Sequence, residues 1–340
     1  MDPRSCATFR PIVRLATLPR FSLATLPTPL HRARRFENVL SLRSPRIYLK
    51  RDDLTDFAFG GNKVRKLEYL LADALAADAT VLVSEGAAQS NHARVTAAAA
   101  AIAGLRCVLV LDARHGAEIA GNLLLDHLFG AEVRVVPDKP ARAAMMTQVG
   151  AELRAAGERP YLIPTGGSVP LGAAAYVAAS LELLGQLAEL GESPPRLYVA
   201  TGSLGTQAGL VVGARAFSAP FAVCGVAVEH PVEKLVADGV ALANATADLL
   251  GLDERFAEPD IAIDGGFVGA AYGVPTDQGL EAIRLLARTE AIVLDPVYTG
   301  KAMAALIAHV RAGELDPDDA VIFWHTGGGP SVFPFGTALL

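Results

Sequence analysis

The sequence predicts an α/β protein whose mainly parallel sheets are covered by helices, and two patterns carry the prediction. From Thr80 onward, short β-branched runs alternate with longer alanine- and leucine-rich stretches, as successive strand–helix–strand units do. Most of the short runs are continuously apolar instead of alternating, which suits strands buried on both faces. So many runs in one chain point to two sheets.

In chain order the strand candidates are Ile47–Leu49, Thr80–Ser84, Cys107–Leu111, Glu132–Val136, Tyr161–Ile163, Arg196–Ala200, Ala222–Val228, Ile261–Ile263, Ile292–Leu294 and Ala320–Trp324. Helices fill the gaps. In Val64–Ala76 the residues Val64, Leu67, Leu71, Ala74 and Leu75 recur at helical spacing, while Arg65, Lys66, Glu68 and Asp73 fall mostly on the other face. Gly191-Glu192-Ser193-Pro194-Pro195 breaks the chain before a strand. No repeat recurs and no low-complexity linker parts two halves, so domain boundaries are poorly marked. A ligand is expected where loops leave the carboxyl ends of the strands.

Composition narrows the function. The 340 residues include 30 basic and 36 acidic side chains, a formal charge of −6, which argues against nucleic acid because phosphate binding needs a basic surface to release counterions. At roughly 150 residues per domain the length suits about two domains. Apolar runs such as Ala97–Gly104 stop far short of the roughly 20 residues a spanning helix needs, so no membrane partner is expected. Three scattered cysteines, Cys6, Cys107 and Cys224, form no disulfide framework and no cysteine zinc site; they suit a reducing, cytoplasmic setting, and no metal is expected. Met1–Arg14 is rich in arginine and poor in acids, a composition shared by transit peptides, although the plainer reading is a disordered leader.

Several loops carry chemistry. Phe59-Gly60-Gly61-Asn62-Lys63 precedes the Val64–Ala76 helix, and a lysine there opposes the helix dipole. Desolvated, it becomes a nucleophilic amine able to form an imine; the plain alternative is a glycine turn with an exposed lysine. Ser84 to Arg94, containing Gln89-Ser90-Asn91-His92, lies between a strand and an alanine-rich helix and offers N–H groups to a carboxylate or phenolate, or else is an ordinary N-cap. Ala200 to Gly209, with Thr201, Gly202, Ser203, Gly205 and Thr206, has the donors of a phosphate cradle, or is a glycine-rich turn. It lacks the Gly-Lys-Ser/Thr ending of a triphosphatase loop. Asp295 to Lys301, with Tyr298, and Trp324 to Gly329, with Thr326, complete the set. Together an amine, a phosphate cradle and hydroxyls on strand-end loops meet the needs of pyridoxal phosphate.

At these residues the chain resembles the D-cysteine desulfhydrase and 1-aminocyclopropane-1-carboxylate deaminase family of pyridoxal phosphate enzymes. The resemblance runs from about Leu15 to Phe333 through Leu18-Pro19-Arg20-Phe21, Leu26-Pro27-Thr28-Pro29-Leu30, Lys50-Arg51-Asp52-Asp53, the three loops above, Tyr272-Gly273-Val274-Pro275, Val297 to Lys301 and His325-Thr326-Gly327-Gly328. It implies two three-layer αβα domains of the tryptophan-synthase β type (pyridoxal phosphate fold type II): a large discontinuous domain of residues 1–65 and 176–340 and a smaller inserted one of 66–175. It implies that Lys63 is the Schiff-base lysine and α-proton base, with Asn62 beside the cofactor and Asn91 on its phenolic oxygen. Ser90, Gln89, Asn91 and His92 would bind the substrate, Ser90 meeting its carboxylate or assisting proton transfer. Thr201, Gly202, Ser203, Gly205 and Thr206 would hold the phosphate, Tyr272 and Tyr298 would flank a small amino-acid substrate, and Thr326 would face the ring nitrogen. A homodimer is also implied.

Position 299 discriminates within the family. The cyclopropane deaminases carry a glutamate after the tyrosine corresponding to Tyr298, near the ring nitrogen, whereas this chain has Thr299. A carboxylate there stabilises a protonated, strongly electron-withdrawing ring; a hydroxyl gives a weaker sink, best matched to early loss of a good β-leaving group such as a thiol. The resemblance therefore implies α,β-elimination of D-cysteine to pyruvate, hydrogen sulfide and ammonia. The rivals are an L-cysteate sulfo-lyase, for which His230 or Arg94 would supply sulfonate donors, the deaminase itself, and a non-catalytic protein that binds the cofactor or an amino acid. Two departures from the family, Leu204 in the phosphate loop and the Gly269-Ala270-Ala271 run before Tyr272, bear on the substrate pocket.

Overall fold

The computed structural model describes residues 12–112 and 119–340. Most of the arginine-rich opening stretch, with Cys6, lies outside them. In chain order the elements are a helix of which 12–17 is described (α1), β1 (Leu30–Arg32), α2 (Arg34–Leu40), β2 (Arg46–Arg51), α3 (Asn62–Ala76), β3 (Val81–Ala87), α4 (Asn91–Ile102), β4 (Arg106–Asp112), α5 (Gly121–Leu128), β5 (Glu132–Val136), α6 (Lys139–Ala155), β6 (Pro160–Ile163), α7 (Pro170–Leu190), β7 (Arg196–Thr201), α8 (Gly205–Ala216), β8 (Ala222–Ala227), α9 (Val232–Leu250), β9 (Ala262–Asp264), α10 (Asp277–Glu290), α11 (Thr299–Arg311), β10 (Ala320–His325) and α12 (Gly336–Leu339). The strands form a six-stranded sheet, order β1-β2-β10-β7-β8-β9, and a four-stranded sheet, order β5-β4-β3-β6. Among the described residues only the β1–β2 pair is antiparallel; the rest are parallel.

The predicted α/β class with two mainly parallel sheets is therefore what the chain adopts, with two local differences. Ile292–Leu294 pairs with no strand among the described residues. Its Ile292 and Leu294 are buried among Ile283, Leu286 and Leu306, and the Val293 carbonyl accepts a hydrogen bond from His325 Nε2 at 3.1 Å, so a side chain stands in for a ladder. A short apolar run looks the same in either role. Conversely β1, an edge strand of three residues with exposed His31, has no apolar run to betray it.

Register brings the two sheets' carboxyl ends together in function. In the larger sheet His325 pairs with Arg51 and Thr201 with Ala227; in the smaller one Ala87 pairs with Asp112 and Ser84 with Ile163. The loops that follow Arg51, Ala87, Thr201 and His325 carry the predicted motifs. Helix α7, the one described helix long and apolar enough to cross a membrane, is a core helix: Tyr176, Leu183 and Leu187 pack with Val199, Leu210 and Trp324. Helix α8 lies close against it because Gly209 and Gly213 present no side chains. A Cβ on Gly209 would lie 2.6 Å from Tyr176 Cβ, and one on Gly213 would lie 2.5 Å from Ser180 Oγ.

Helix α3 departs from a simple amphipathic helix. Much of its polar face is buried as well, and Arg65 and Glu68 there are ion-paired. Arg65 pairs with Asp52 and Glu182, Glu68 with Arg20, and Lys50 of β2 with Glu182. Asp52 also accepts from Tyr176 Oη at 2.6 Å and Trp324 Nε1 at 2.8 Å. Burial would raise the Asp52 carboxyl, but Arg65 and these donors outweigh it and hold it below the ordinary carboxylate range.

Candidate active site

Lys63 lies in the first turn of α3, presented by a run of left-handed backbone. Ala58, Phe59, Gly60 and Gly61 all have positive φ, and a Cβ on Gly60 would come 2.8 Å from the Thr55 carbonyl oxygen, so only glycine fits that position. The turn is pinned from below by Gly61 N–H to Asp52 O (2.8 Å) and Asn62 N–H to Thr326 O (3.0 Å).

A cavity of about 480 Å³ opens above it. Of the predicted residues, Asn62, Lys63, Ser90, Asn91, His92, Thr201, Gly202, Ser203, Thr206, Tyr272, Tyr298 and Thr326 line this cavity. Gln89 and Gly205 do not. The Gln89 side chain joins Ala120 O and Asn122 N instead, and the Gly205 N–H donates to Ser168 Oγ.

Hydrogen-bond partners show which polar atoms remain to meet a ligand. Asn62 Nδ2 donates to Thr206 Oγ1 at 2.9 Å, leaving the Thr206 proton to donate elsewhere. Ser90 caps α4 by accepting from the Ala93 N–H, leaving its own O–H to donate. Ser84 Oγ gives its proton to Ile163 O and therefore accepts from His92 Nε2 at 2.9 Å, so His92 is the Nε2–H tautomer. Burial, reinforced by Lys63 and Lys66, pushes the His92 pKa well below the usual range and keeps the ring neutral. Thr201 differs: its hydroxyl donates to Gln207 Oε1.

Two amines share one face of α3. Desolvation pushes the Lys63 amine down to about 8, a hydrogen bond with Lys66 opposing part of the shift. Burial, followed by repulsion from Lys63, pushes Lys66 well below its usual range. Lys66 Nζ donates to Gly166 O at 3.1 Å and approaches the start of α8 so closely that a Cβ on Gly205 would lie 2.6 Å away. Amines, hydroxyls of Ser203 and Thr206 and a helix N-terminus thus converge where an anion is favoured. The proximity of Lys66 to Lys63 is not evident from the amphipathic pattern, in which it reads as one more polar position; its i, i+3 relation to Lys63 is the available signal.

Also on the lining, Tyr272 Oη and Tyr298 Oη lie 2.6 Å apart. Burial pushes Tyr272 up to about 12 and Tyr298 well above its usual value, so both stay protonated. Thr299 supplies nothing here. Its hydroxyl donates to Asp295 Oδ1 at 2.8 Å, and it is fully buried beneath the wall. Thr326 is the hydroxyl that lines the cavity. Leu204, left-handed at φ 68°, packs against Ala227 and Leu235 while also touching the cavity. Lys139 on α6 closes the mouth by reaching Glu229 Oε1 at 2.7 Å and His230 Nε2 at 3.0 Å. His230 therefore borders the cavity, whereas Arg94 does not.

A family model described as pyridoxal-phosphate dependent enzyme matches residues 21–327. The chain belongs to that family. The enzyme is 41% identical over 330 residues to the D-cysteine desulfhydrase of Salmonella typhi, a match covering 96% of this chain and 98% of the relative. The Salmonella newport D-cysteine desulfhydrase is equally similar, 41% with the same coverage. A crystal structure of an ACC deaminase homologue superposes with a TM-score of 0.87 at 36% identity, covering 100% of this chain and 99% of that one. The crystal structure of a T.th. threonine deaminase, at 22% identity and a TM-score of 0.65 over 95% of this chain and 97% of that one, shares the fold. The architecture is accordingly fold type II. The cofactor is pyridoxal phosphate, and the site fits it: an amine depressed by desolvation faces a cavity also lined by the hydroxyl-bearing Ser203 and Thr206 at the start of α8, by Asn91 and by Thr326.

Proposed function

We propose that the enzyme catalyses α,β-elimination of D-cysteine, consuming water and releasing pyruvate, hydrogen sulfide and ammonia. The observation that carries this reading is Thr299. Its hydroxyl closes on Asp295, so the position where the deaminases resemble one another in carrying glutamate presents no carboxylate to the cofactor ring. The full-length similarity to D-cysteine desulfhydrases supports the same choice.

When bound, pyridoxal phosphate supplies the electron sink that acidifies the substrate Cα–H. In this reading Ser203 and Thr206, with Lys66 behind them beside Gly205, would hold its phosphate, Asn91 would meet its phenolic oxygen and Thr326 would face its ring nitrogen. Lys63 is the amine that would hold the cofactor and, its affinity for protons lowered toward neutrality by desolvation, the group that would take the Cα proton. Ser90, whose O–H is not used by its own helix cap, orients the substrate carboxylate. The Tyr272–Tyr298 pair retains its protons and can give one to the departing sulfur, refilling it from its partner. Hydrosulfide leaves readily because it is a far more stable anion than hydroxide. A large domain of residues 1–65 and 176–340, a smaller one of 66–175, a homodimer and a cytoplasmic setting complete the proposal; strands from separate chain segments in the two sheets support the division.

The test is product formation from D-cysteine, L-cysteine, L-cysteate, D-serine and 1-aminocyclopropane-1-carboxylate, with Lys63→Ala as control. Pyruvate and sulfide from D-cysteine, abolished by the substitution, are expected. Sulfite from L-cysteate with little D-cysteine turnover would move the assignment to a sulfo-lyase, for which His230 and Lys139 stand at the mouth. Appearance of 2-oxobutyrate from the cyclopropane would overturn the argument from Thr299.

A further inference from the structure

We propose that Asn122, held in turn by Arg94, is a positioning residue that decides which end of the Asn91 amide faces the cofactor. The inference rests on the reading above that Asn91 meets the phenolic oxygen. Arg94 is fully buried on α4. It donates Nη2 to Gly60 O at 2.6 Å and Nη1 to Asn122 Oδ1 at 3.1 Å. A guanidinium has no acceptor, so Asn122 must turn its oxygen toward Arg94. Its Nδ2 then faces the other way, donating to the Gln89 main-chain carbonyl at 2.9 Å and to Asn91 Oδ1 at 2.9 Å. A carbonyl cannot donate. Two one-way partners therefore leave Asn122 a single orientation, since exchanging its oxygen and nitrogen would break both contacts.

The consequence passes to Asn91. With its oxygen engaged by Asn122, and approached by Ser331 Oγ at 3.4 Å, Asn91 has only N–H left to offer the cavity it lines. An N–H donor stabilises a deprotonated phenolic oxygen, whereas a carbonyl in its place would favour the protonated form. Asn122, in the first turn of α5, is not among the residues lining the cavity and is fully buried, so it acts through Asn91. The same guanidinium also holds the Gly60 carbonyl of the turn that presents Lys63, linking the placement of the amide to that of the amine.

Asn122→Asp separates this role from a structural one. A carboxylate keeps the contact with Arg94 and adds opposite charge, but it has no N–H, so Asn91 must rotate to donate to it and turn its oxygen toward the cavity. In the holoenzyme the ratio of the two absorption bands of the bound cofactor should move several-fold toward the protonated phenolic form, whereas a purely structural role would lower the thermal unfolding midpoint, as loss of the donor to the Gln89 carbonyl also does, and leave the ratio unmoved. Asn122→Ala, which frees Asn91 to take both orientations, should give an intermediate ratio, and it decides the matter if the aspartate variant fails to fold. Asn91→Ala is measured beside them. A ratio that moves in Asn91→Ala but stays at the wild-type value in the folded Asn122 variants overturns the positioning role. A ratio unmoved in Asn91→Ala overturns the reading of Asn91 itself.

Discussion

At the scale of single residues, the site depends on groups whose ordinary behaviour has been changed by their neighbours. Asp52 is the extreme case on the structural side. Fully buried, it receives Arg65, Tyr176, Trp324 and Thr28, and its main-chain carbonyl anchors the Gly61 N–H two residues before Lys63. Because its folded pKa is depressed, the stability it contributes is present above its unfolded value of about 3.9 and is lost as pH falls through the lower folded value. Asp52→Asn leaves Arg65 with half of its counter-charge and should destabilise by about 3 kcal/mol at neutral pH. In chemical denaturation the gap between wild type and variant should hold from pH 7 to about 5 and narrow below about 4; a gap independent of pH would show that the ion pair is not its source. That Lys63, Asn91 and Tyr298 line one cavity was legible in the sequence because each sits in a compact local motif. Asn122 and Lys66 were not. Their significance comes from contacts with residues far along the chain, Gly166 for Lys66 and Asn91 for Asn122, and no spacing rule encodes such meetings.

At the scale of elements, helix packing sets where the phosphate cradle stands. Helix α8 begins with Gly205 beside Lys66 Nζ, and its position along α7 is fixed by the close approach at Gly209 and Gly213. Gly209→Ala would place a methyl group 2.6 Å from Tyr176 Cβ and in contact with the Ala173 carbonyl. The gain in helix propensity of roughly 1 kcal/mol is outweighed by forcing two buried helices apart, which costs about 1–3 kcal/mol. The expected result is a lower unfolding temperature together with weaker retention of pyridoxal phosphate, measured by equilibrium dialysis. A more stable variant with unchanged retention would refute the tight α7–α8 contact. Most elements were legible because a buried parallel strand is a short apolar run. The exceptions follow from the same physics: Ile292–Leu294 is as apolar as a strand, but His325 takes the Val293 carbonyl, while β1 is too short and polar to announce itself.

At the scale of the whole molecule, the six-stranded sheet is completed by β10, the described strand that comes last in sequence. Strand β10 lies between β2 and β7, and it brings Trp324 to Asp52 and the Thr326 carbonyl to the Asn62 N–H. The four-stranded sheet, formed from strands between residues 81 and 163, needs none of this. Truncation before Ala320 should leave a chain that retains part of its helical circular dichroism but does not bind pyridoxal phosphate, since the turn carrying Lys63 loses its floor; cofactor binding by the truncated chain would contradict that dependence. During synthesis the consequence is one of timing. Lys63 emerges early, yet the support for its turn arrives only with Thr326. A nascent chain therefore cannot present the amine in its working geometry until translation has passed Thr326, and the cofactor, itself a reactive aldehyde, meets a formed site only after that point.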